Sequence, residues 1–595
     1  MTALLAVRGL RVVAGAAGGR AGVDRGESAT NLTEPKRGLV ATGLQTAIAS
    51  GPAGATAAAD RQAAQTGLHG RTGPGLNSPP PILLDGLDLE LHAGECLGLV
   101  GESGSGKSLS ALALLGLLPA GLHAAGKLLH QGAAIAMGSR AHAALRGRVL
   151  GWIPQDPLAA LHPLRSAGAQ LVEALRVMRG LSREHARREA EALFDRVQLP
   201  DPAQAMRRYP HQFSGGQRQR IAIALALATQ PRVLIADEPT SSLDARIARD
   251  ILDLLDALRR EDGLALLLIS HDLPLVGAYA QRLVVLQRGA VVERGDTREV
   301  FASPRHAYTR ELLAADRLAP LPPARDGAAL LLRGEHLRMR YPKAPRAALD
   351  DVTIELRRGE GLALVGESGS GKSTLGRAVL RLLRGAQGRV LFFDGRQGDG
   401  AADAGIDLAA LPARELRQLR ARIGVVFQDP YASLDPRLRI AEIVAEPLRI
   451  HGRGDATSRR ANAAELLQAV GLDASGRGAG LLDRYPHQFS GGQRQRIAIA
   501  RALATEPDLL VCDEAVSALD AHHRAAILAL LVKLKRERGL ALLFVTHDLA
   551  AAAAVAERIA VLEAGRIVET GATAEVLHAP QHPHTRALLA ARPAA

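Results

Sequence analysis

The sequence predicts an α/β protein built as two tandem domains, each with a mainly parallel sheet at its core. Three observations lead there. Residues 208–224, RYPHQFSGGQRQRIAIA, return unchanged at 484–500, 276 positions later, so the chain contains an internal duplication. Each copy has a short apolar strand running into GESGSGKS and then a helical segment, at 101–108 and 366–373. Each copy also has two further apolar runs ending on polar residues: Asp237 and Glu238, then His271, in the first, and Asp513 and Glu514, then His547, in the second. Strands that finish this way gather their polar ends at the carboxyl edge of a parallel sheet, where α/β proteins bind ligands.

Length and composition narrow the classes. A chain of 595 residues is too long for one core, and 47% hydrophobic residues supply material for several. No window approaches the ~18 uninterrupted apolar residues of a membrane helix, and the start lacks the apolar core and cleavage site of a signal peptide. A cytoplasmic location is the expectation. Cys96 and Cys512 stand alone in apolar runs, with no disulfide, zinc or iron–sulfur spacing, and read as small core residues. The net charge of +13 would suit nucleic acid or an anionic membrane, but only 3% of residues are aromatic and they do not interleave with basic ones, which argues against a single-strand stacking platform.

In chain order, residues 4–13 read as a first strand. Residues 14–81 change to Ala, Gly, Thr and Ser without a period, the composition of a flexible, disordered insertion. Residues 82–91 alternate as a strand, and 95–100 form the buried strand before the glycine loop. Strand, G-x-x-x-x-G-K-S and helix together form a phosphate-binding loop: Gly101, Gly104 and Gly106 let the backbone wrap phosphates, Lys107 reaches the β- and γ-phosphates, and Ser108 binds Mg²⁺. Gly366, Gly369, Gly371, Lys372 and Ser373 repeat these roles. Strands at 149–157 and 423–430 end in QDP and put Gln155 and Gln428 at strand exits. Mainly helical segments then lead to the Ser-Gly-Gly-Gln turns, Ser214 to Gln217 and Ser490 to Gln493, where glycines ahead of a helix leave N–H groups free to face an anion. Ser214 to Asp237 is 23 residues, as is Ser490 to Asp513; Asp237 to His271 is 34, as is Asp513 to His547. The expected domains are 1–318 and 329–595, joined by a Pro-rich spacer at 319–328.

These motifs resemble the ATP-binding domain of ABC (ATP-binding cassette) transporters, twice over and across nearly the whole chain. Ser-Gly-Gly-Gln is the signature of that family; the phosphate loop alone fits many nucleoside triphosphatases. FQDPYASLDP at 427–436, the doubled RYPHQFSGGQ and the tails PRHAYTRELL (304–313) and PQHPHTRALL (580–589) resemble the peptide/nickel importer subfamily, which includes dipeptide, oligopeptide and glutathione systems, in its fused tandem form.

The resemblance implies that each domain adds an antiparallel β subdomain and a helical subdomain to the parallel sheet. It implies ATP and Mg²⁺ as ligands, with Asp237 and Asp513, Ser108 and Ser373, and Gln155 and Gln428 around the metal. Glu238 and Glu514 become general bases, and His271 and His547 contacts of the γ-phosphate. Ser103, Ser368 and Thr374 join the loop residues as nucleotide contacts, and Tyr341 stacks on adenine in the second half; the first half has no aromatic residue before Trp152. Each signature, Ser214, Gly215, Gly216 and Gln217 or Ser490, Gly491, Gly492 and Gln493, completes the opposite half's site in a head-to-tail sandwich. The implied partners are two transmembrane permease subunits and an extracytoplasmic solute-binding protein, with the chain peripheral on the cytoplasmic face of the membrane and no nucleic acid bound. A soluble tandem ATPase acting on ribosomes or nucleic acid is the alternative. The short Pro-rich spacer and the importer-like tails stand against it.

Overall fold

The computed structural model describes residues 3–14, 81–241, 243–315, 320–322, 327–342, 344, 346–394, 405–473, 480–516 and 519–590. The expected insertion lies outside the described residues except at its ends, 14 and 81, as do 319 and 323–326 of the expected spacer.

Each half carries two sheets. In the first, β1 (Leu5–Ala14), β2 (Ile82–Leu91), β4 (Leu122–His130) and β5 (Ala133–Ile135) form an antiparallel sheet in the order β2-β1-β4-β5. The second sheet contains β3 (Cys96–Val100), β6 (Leu150–Ile153), β7 (Val233–Asp237), β8 (Ala265–Ser270), β9 (Arg282–Gln287) and β10 (Ala290–Asp296), ordered β10-β9-β3-β8-β7-β6. It is parallel except for the β9–β10 hairpin. Every residue of β3, β7 and β8 is buried, as continuous apolar runs require of strands covered on both faces.

Pleating then divides the core. Cys96 and Val100 of β3 face a cluster with Phe194, Ile221 and Leu255, whereas Leu97 and Leu99 face one with Leu10, Leu84 and Leu114. Burial pushes the Cys96 thiol up to about 12 and raises that of Cys512 as well, which leaves both as inert core groups. Helices α1 (Lys107–Leu115), α2 (Ala167–Arg179), α3 (Arg183–Arg196), α4 (Gly215–Leu227), α5 (Ala245–Asp262) and α6 (Ala307–Ala315) complete the half used below. Between β6 and β7 lie α2 and α3, the helical subdomain that the resemblance implied.

The second half repeats this plan. Its antiparallel sheet is ordered β12-β11-β14-β15, from β11 (Leu330–Met339), β12 (Leu349–Arg357), β14 (Gln387–Phe392) and β15 (Ile406–Asp407). Its main sheet is ordered β16-β17-β18-β13-β19-β20, from β13 (Gly361–Val365), β16 (Ile423–Val426), β17 (Leu509–Asp513), β18 (Ala541–Thr546), β19 (Arg558–Glu563) and β20 (Arg566–Ala572). The matching helices are α7 (Lys372–Val379), α8 (Ile440–Ile450), α9 (Ala456–Ala469), α10 (Gly491–Leu503), α11 (Ala521–Arg538) and α12 (Pro583–Ala590).

Candidate active site

Each phosphate loop is shaped by backbone that only glycine allows. A Cβ on Gly101 would lie 2.2 Å from the Leu286 carbonyl oxygen, and Gly106 caps α1 at φ 105°. Gly371 repeats the cap at φ 107°. Inside the loop the buried Lys107 donates to the carbonyls of Gly101 (2.7 Å) and Glu102 (2.9 Å), and Lys372 to those of Gly366 (2.8 Å) and Glu367 (2.7 Å). The Ser105 and Ser370 hydroxyls are buried in these loops without a protein hydrogen-bond partner, polar capacity suited to a ligand.

The strand ends converge on the loops. Ser108 Oγ donates to Asp237 Oδ1 at 3.0 Å, and Ser373 Oγ to Asp513 Oδ1 at 2.9 Å. Gln155 Nε2 donates to Glu238 Oε2 at 3.1 Å, and Gln428 Nε2 to Glu514 Oε2 at 2.7 Å. His271 Nδ1 lies 3.3 Å from Glu238 and His547 Nδ1 3.8 Å from Glu514. Lysine, serine, glutamine, both carboxylates and histidine are therefore assembled in both halves.

The paired carboxylates sit in opposed fields. Burial, aided by the adjacent Glu238 charge, pushes Asp237 up to about 7, and burial raises Asp513 in the same way. Burial also acts against the charge of Glu238, but the hydrogen bond and charge of His271, with the charge of Lys107, hold it below the usual carboxylate range. The His547 hydrogen bond does so for Glu514. A buried aspartate that resists ionisation is stabilised by a nearby cation, and Ser Oγ, Asp and Gln oxygens are hard donors of the kind Mg²⁺ accepts alongside phosphate oxygens. Among the described residues there is no cluster of three or more His, Cys, Asp or Glu that could hold a metal ion.

Several features were not legible beforehand. Glu238 and Glu514 adopt φ of 46° and 47°, left-handed backbone that non-glycine residues seldom use. Arg377 lies 3.8 Å from Asp513, with Leu112 at the matching position of the first helix. The halves meet through the N-termini of α5 and α11: Asp520 Oδ2 accepts the Ser103 N–H at 3.1 Å, His522 Nδ1 lies 3.9 Å from Glu102, and Arg246 donates to Glu367 at 3.1 Å. The repeat of Leu243 and Asp244 as Leu519 and Asp520 was the available signal.

The signature residues bond locally. Ser214 and Gln217 form a capping box on α4, with N–H to side-chain distances of 3.1 and 3.3 Å, and Ser490 and Gln493 form one on α10 at 3.0 and 3.4 Å. The second glycine of each signature is a packing requirement, since a Cβ on Gly216 would meet Ile247 at 2.6 Å and one on Gly492 would meet His523 at 2.6 Å. Gly491 faces open space. Tyr341 is 37% exposed, with its hydroxyl 3.4 Å from Thr374 Oγ1 beside the second loop. Val12 pairs with Leu84 as Met339 pairs with Leu349, so two residues on, Ala14 occupies the position of Tyr341.

The model of the ABC transporter family matches residues 84–241 and 349–517, and that of the oligopeptide/dipeptide transporter C-terminal region matches 292–323 and 568–595. The glutathione import ATP-binding protein GsiA of Shigella sonnei (strain Ss046) is 42% identical over 552 residues, 86% of each chain, and that of Escherichia coli (strain K12) matches equally. The peptidoglycan transport ATP-binding protein YejF of Agrobacterium fabrum is 40% identical over 523 residues, 86% of this chain and 93% of that one. A solved dimeric structure of MJ0796, a bacterial ABC transporter cassette, is 32% identical, with a TM-score of 0.36 over 41% of this chain and 99% of that one.

Proposed function

The chain belongs to the ABC transporter family, and on that premise we propose that it is the fused, two-site ATPase that powers import of peptides or related small solutes. The observation that carries this is the doubled assembly of phosphate-loop lysine, aspartate, glutamate, glutamine and histidine in one chain whose tails match the peptide-transporter C-terminal region. Those tails also favour transport over the ribosome-bound alternative. The relatives are named for glutathione import and peptidoglycan transport, so the cargo class is a small peptide-like solute. No helix among the described residues is long and apolar enough to cross a membrane. Two permease subunits would supply the path, an extracytoplasmic binding protein the cargo, and the chain would bind at the cytoplasmic face.

Lys107 and Lys372 would hold the β- and γ-phosphates of ATP. Ser108, Gln155 and Asp237, or Ser373, Gln428 and Asp513, would hold Mg²⁺, which would supply charge neutralisation at the phosphates. Glu238 and Glu514, kept ionised by their histidines, would orient the attacking water and accept its proton at a carboxylate oxygen. His271 and His547 would turn their remaining ring nitrogen to the γ-phosphate. Each signature would close the opposite site: Ser490 to Gln493 over Lys107, Ser214 to Gln217 over Lys372. The open space beside Gly491 leaves room for a phosphate to approach the α10 N-terminus. Loss of the γ-phosphate would release the halves and drive the permease.

Co-purification tests this reading. The full chain should bring down two multi-span membrane proteins and, in proteoliposomes, support ATP-dependent uptake of a small peptide such as glutathione. Sedimentation with ribosomes in place of the membrane proteins would overturn it.

A further inference from the structure

Tyr308 belongs to the first tail, far in sequence from the first phosphate loop, yet its hydroxyl oxygen accepts the N–H of Glu102 at 3.0 Å. Its ring is 4% exposed and packs in the first half's core. The N–H it accepts belongs to the peptide plane joining Gly101 to Glu102. The carbonyl at the other end of that plane, Gly101 O, accepts Lys107 Nζ at 2.7 Å. A rigid planar group therefore has the tail tyrosine on one side and the phosphate-loop lysine on the other. Hydrogen bonds in series through one amide also polarise and strengthen one another. We propose that Tyr308 is a positioning residue for Lys107: it fixes the Gly101–Glu102 peptide and so sets where the ammonium meets the phosphates.

The second half lacks this arrangement. The backbones of the two tails agree, since Tyr308 N–H donates to His306 Nδ1 and His584 N–H to His582 Nδ1, both at 3.2 Å. The residue at the tyrosine position is His584, whose Nδ1 lies 3.4 Å from Glu563 and whose buried Nε2 has no protein hydrogen-bond partner. The same stretch of the first loop is also held by the opposite half, through Asp520 on Ser103 and His522 beside Glu102. Helix α6, which carries Tyr308, packs against α11, which Asp520 caps. Tyr308 thus stands between the first phosphate loop and the second half.

The inference rests on the reading of Lys107 and Lys372 as the phosphate-binding lysines, and the test separates the two. ATP binding is measured on the full chain in a Lys372→Ala background, which leaves the first site, and in a Lys107→Ala background, which leaves the second. Tyr308→Phe removes the acceptor oxygen, keeps the ring and leaves the Glu102 N–H unsatisfied. It should weaken ATP binding by ~5-fold or more in the Lys372→Ala chain and leave the Lys107→Ala chain unchanged. Equal loss in both backgrounds, or none in the first, overturns the inference. If Lys107→Ala added to Lys372→Ala leaves ATP bound, the lysine assignment itself falls. Amide hydrogen exchange on the unsubstituted chain decides independently of folding in the variant: the Glu102 amide should exchange more slowly than the Glu367 amide, and equal rates would overturn the proposal.

Discussion

At the residue scale, the two glutamates proposed as general bases also hold strained backbone. A non-glycine residue at φ near 46° costs about 1–3 kcal/mol, and here it is held by Glu238 N–H on the Ile269 carbonyl and Glu514 N–H on that of Val545, both at 2.9 Å. Changing both to Gln should lower ATP turnover by ~10²–10⁴-fold while ATP still binds, and each single change should remove the share of its own site. Steady-state phosphate release reads this, and unchanged turnover in the double variant would contradict the assignment. His523 adds a pH dependence. The Asp520 hydrogen bond raises it above its usual range against the effect of burial; the Asp520 and Glu102 charges add to this, and Arg496 opposes it. A raised histidine gives stability that is full below its ordinary value of about 6.5 and lost as pH rises through the raised one. The Tm advantage of the unsubstituted chain over His523→Gln should therefore shrink from pH 6 to 8.5, and a flat difference would contradict it.

Elements differ in how openly the sequence announces them. Strands β3, β7, β8 and their repeats were legible because continuous apolar runs ending on a glycine loop, Asp, Glu or His are local signals. The glycine loops were legible for the same reason. The left-handed turn at Glu238, the reach of Asp520 to Ser103 and the bond from Tyr308 to Glu102 were not, because each depends on a partner from another strand, another half or a distant tail. Register was also hidden. β1 and β2 alternate as strands in the sequence, but only their pairing places Ala14 opposite the role of Tyr341. That difference predicts unequal sites. Base stacking on an aromatic ring contributes ~1–3 kcal/mol, so the Lys107→Ala chain, which keeps the second site, should bind ATP at least several-fold more tightly than the Lys372→Ala chain. Tyr341→Ala should erase most of the gap. Equal affinities in the two single-site chains would remove the idea.

For the molecule as a whole, duplication matters because the halves touch at their phosphate loops. Asp520 and His522 approach the first loop, Arg246 the second, and Arg249 bonds the Ala590 carbonyl of the last helix. Backbone from the spacer joins the second half, with Leu321 N–H on the Ala553 carbonyl at 3.0 Å. An interface that runs through both loops makes each loop answerable to the other half, as the proposed coupling to a permease would require. The repeated signature is the proposed remaining part of each site, and its capping-box geometry fixes the N-termini of α4 and α10 in the form an anion can meet. The most direct measurement is photolabelling of the Ser490→Arg chain with azido-ATP, followed by proteolysis between the halves to see which one carries label. The half containing Lys107 should lose its label while the half containing Lys372 keeps it; loss from the Lys372 half with retention at Lys107 would contradict the cross-completed pair of sites.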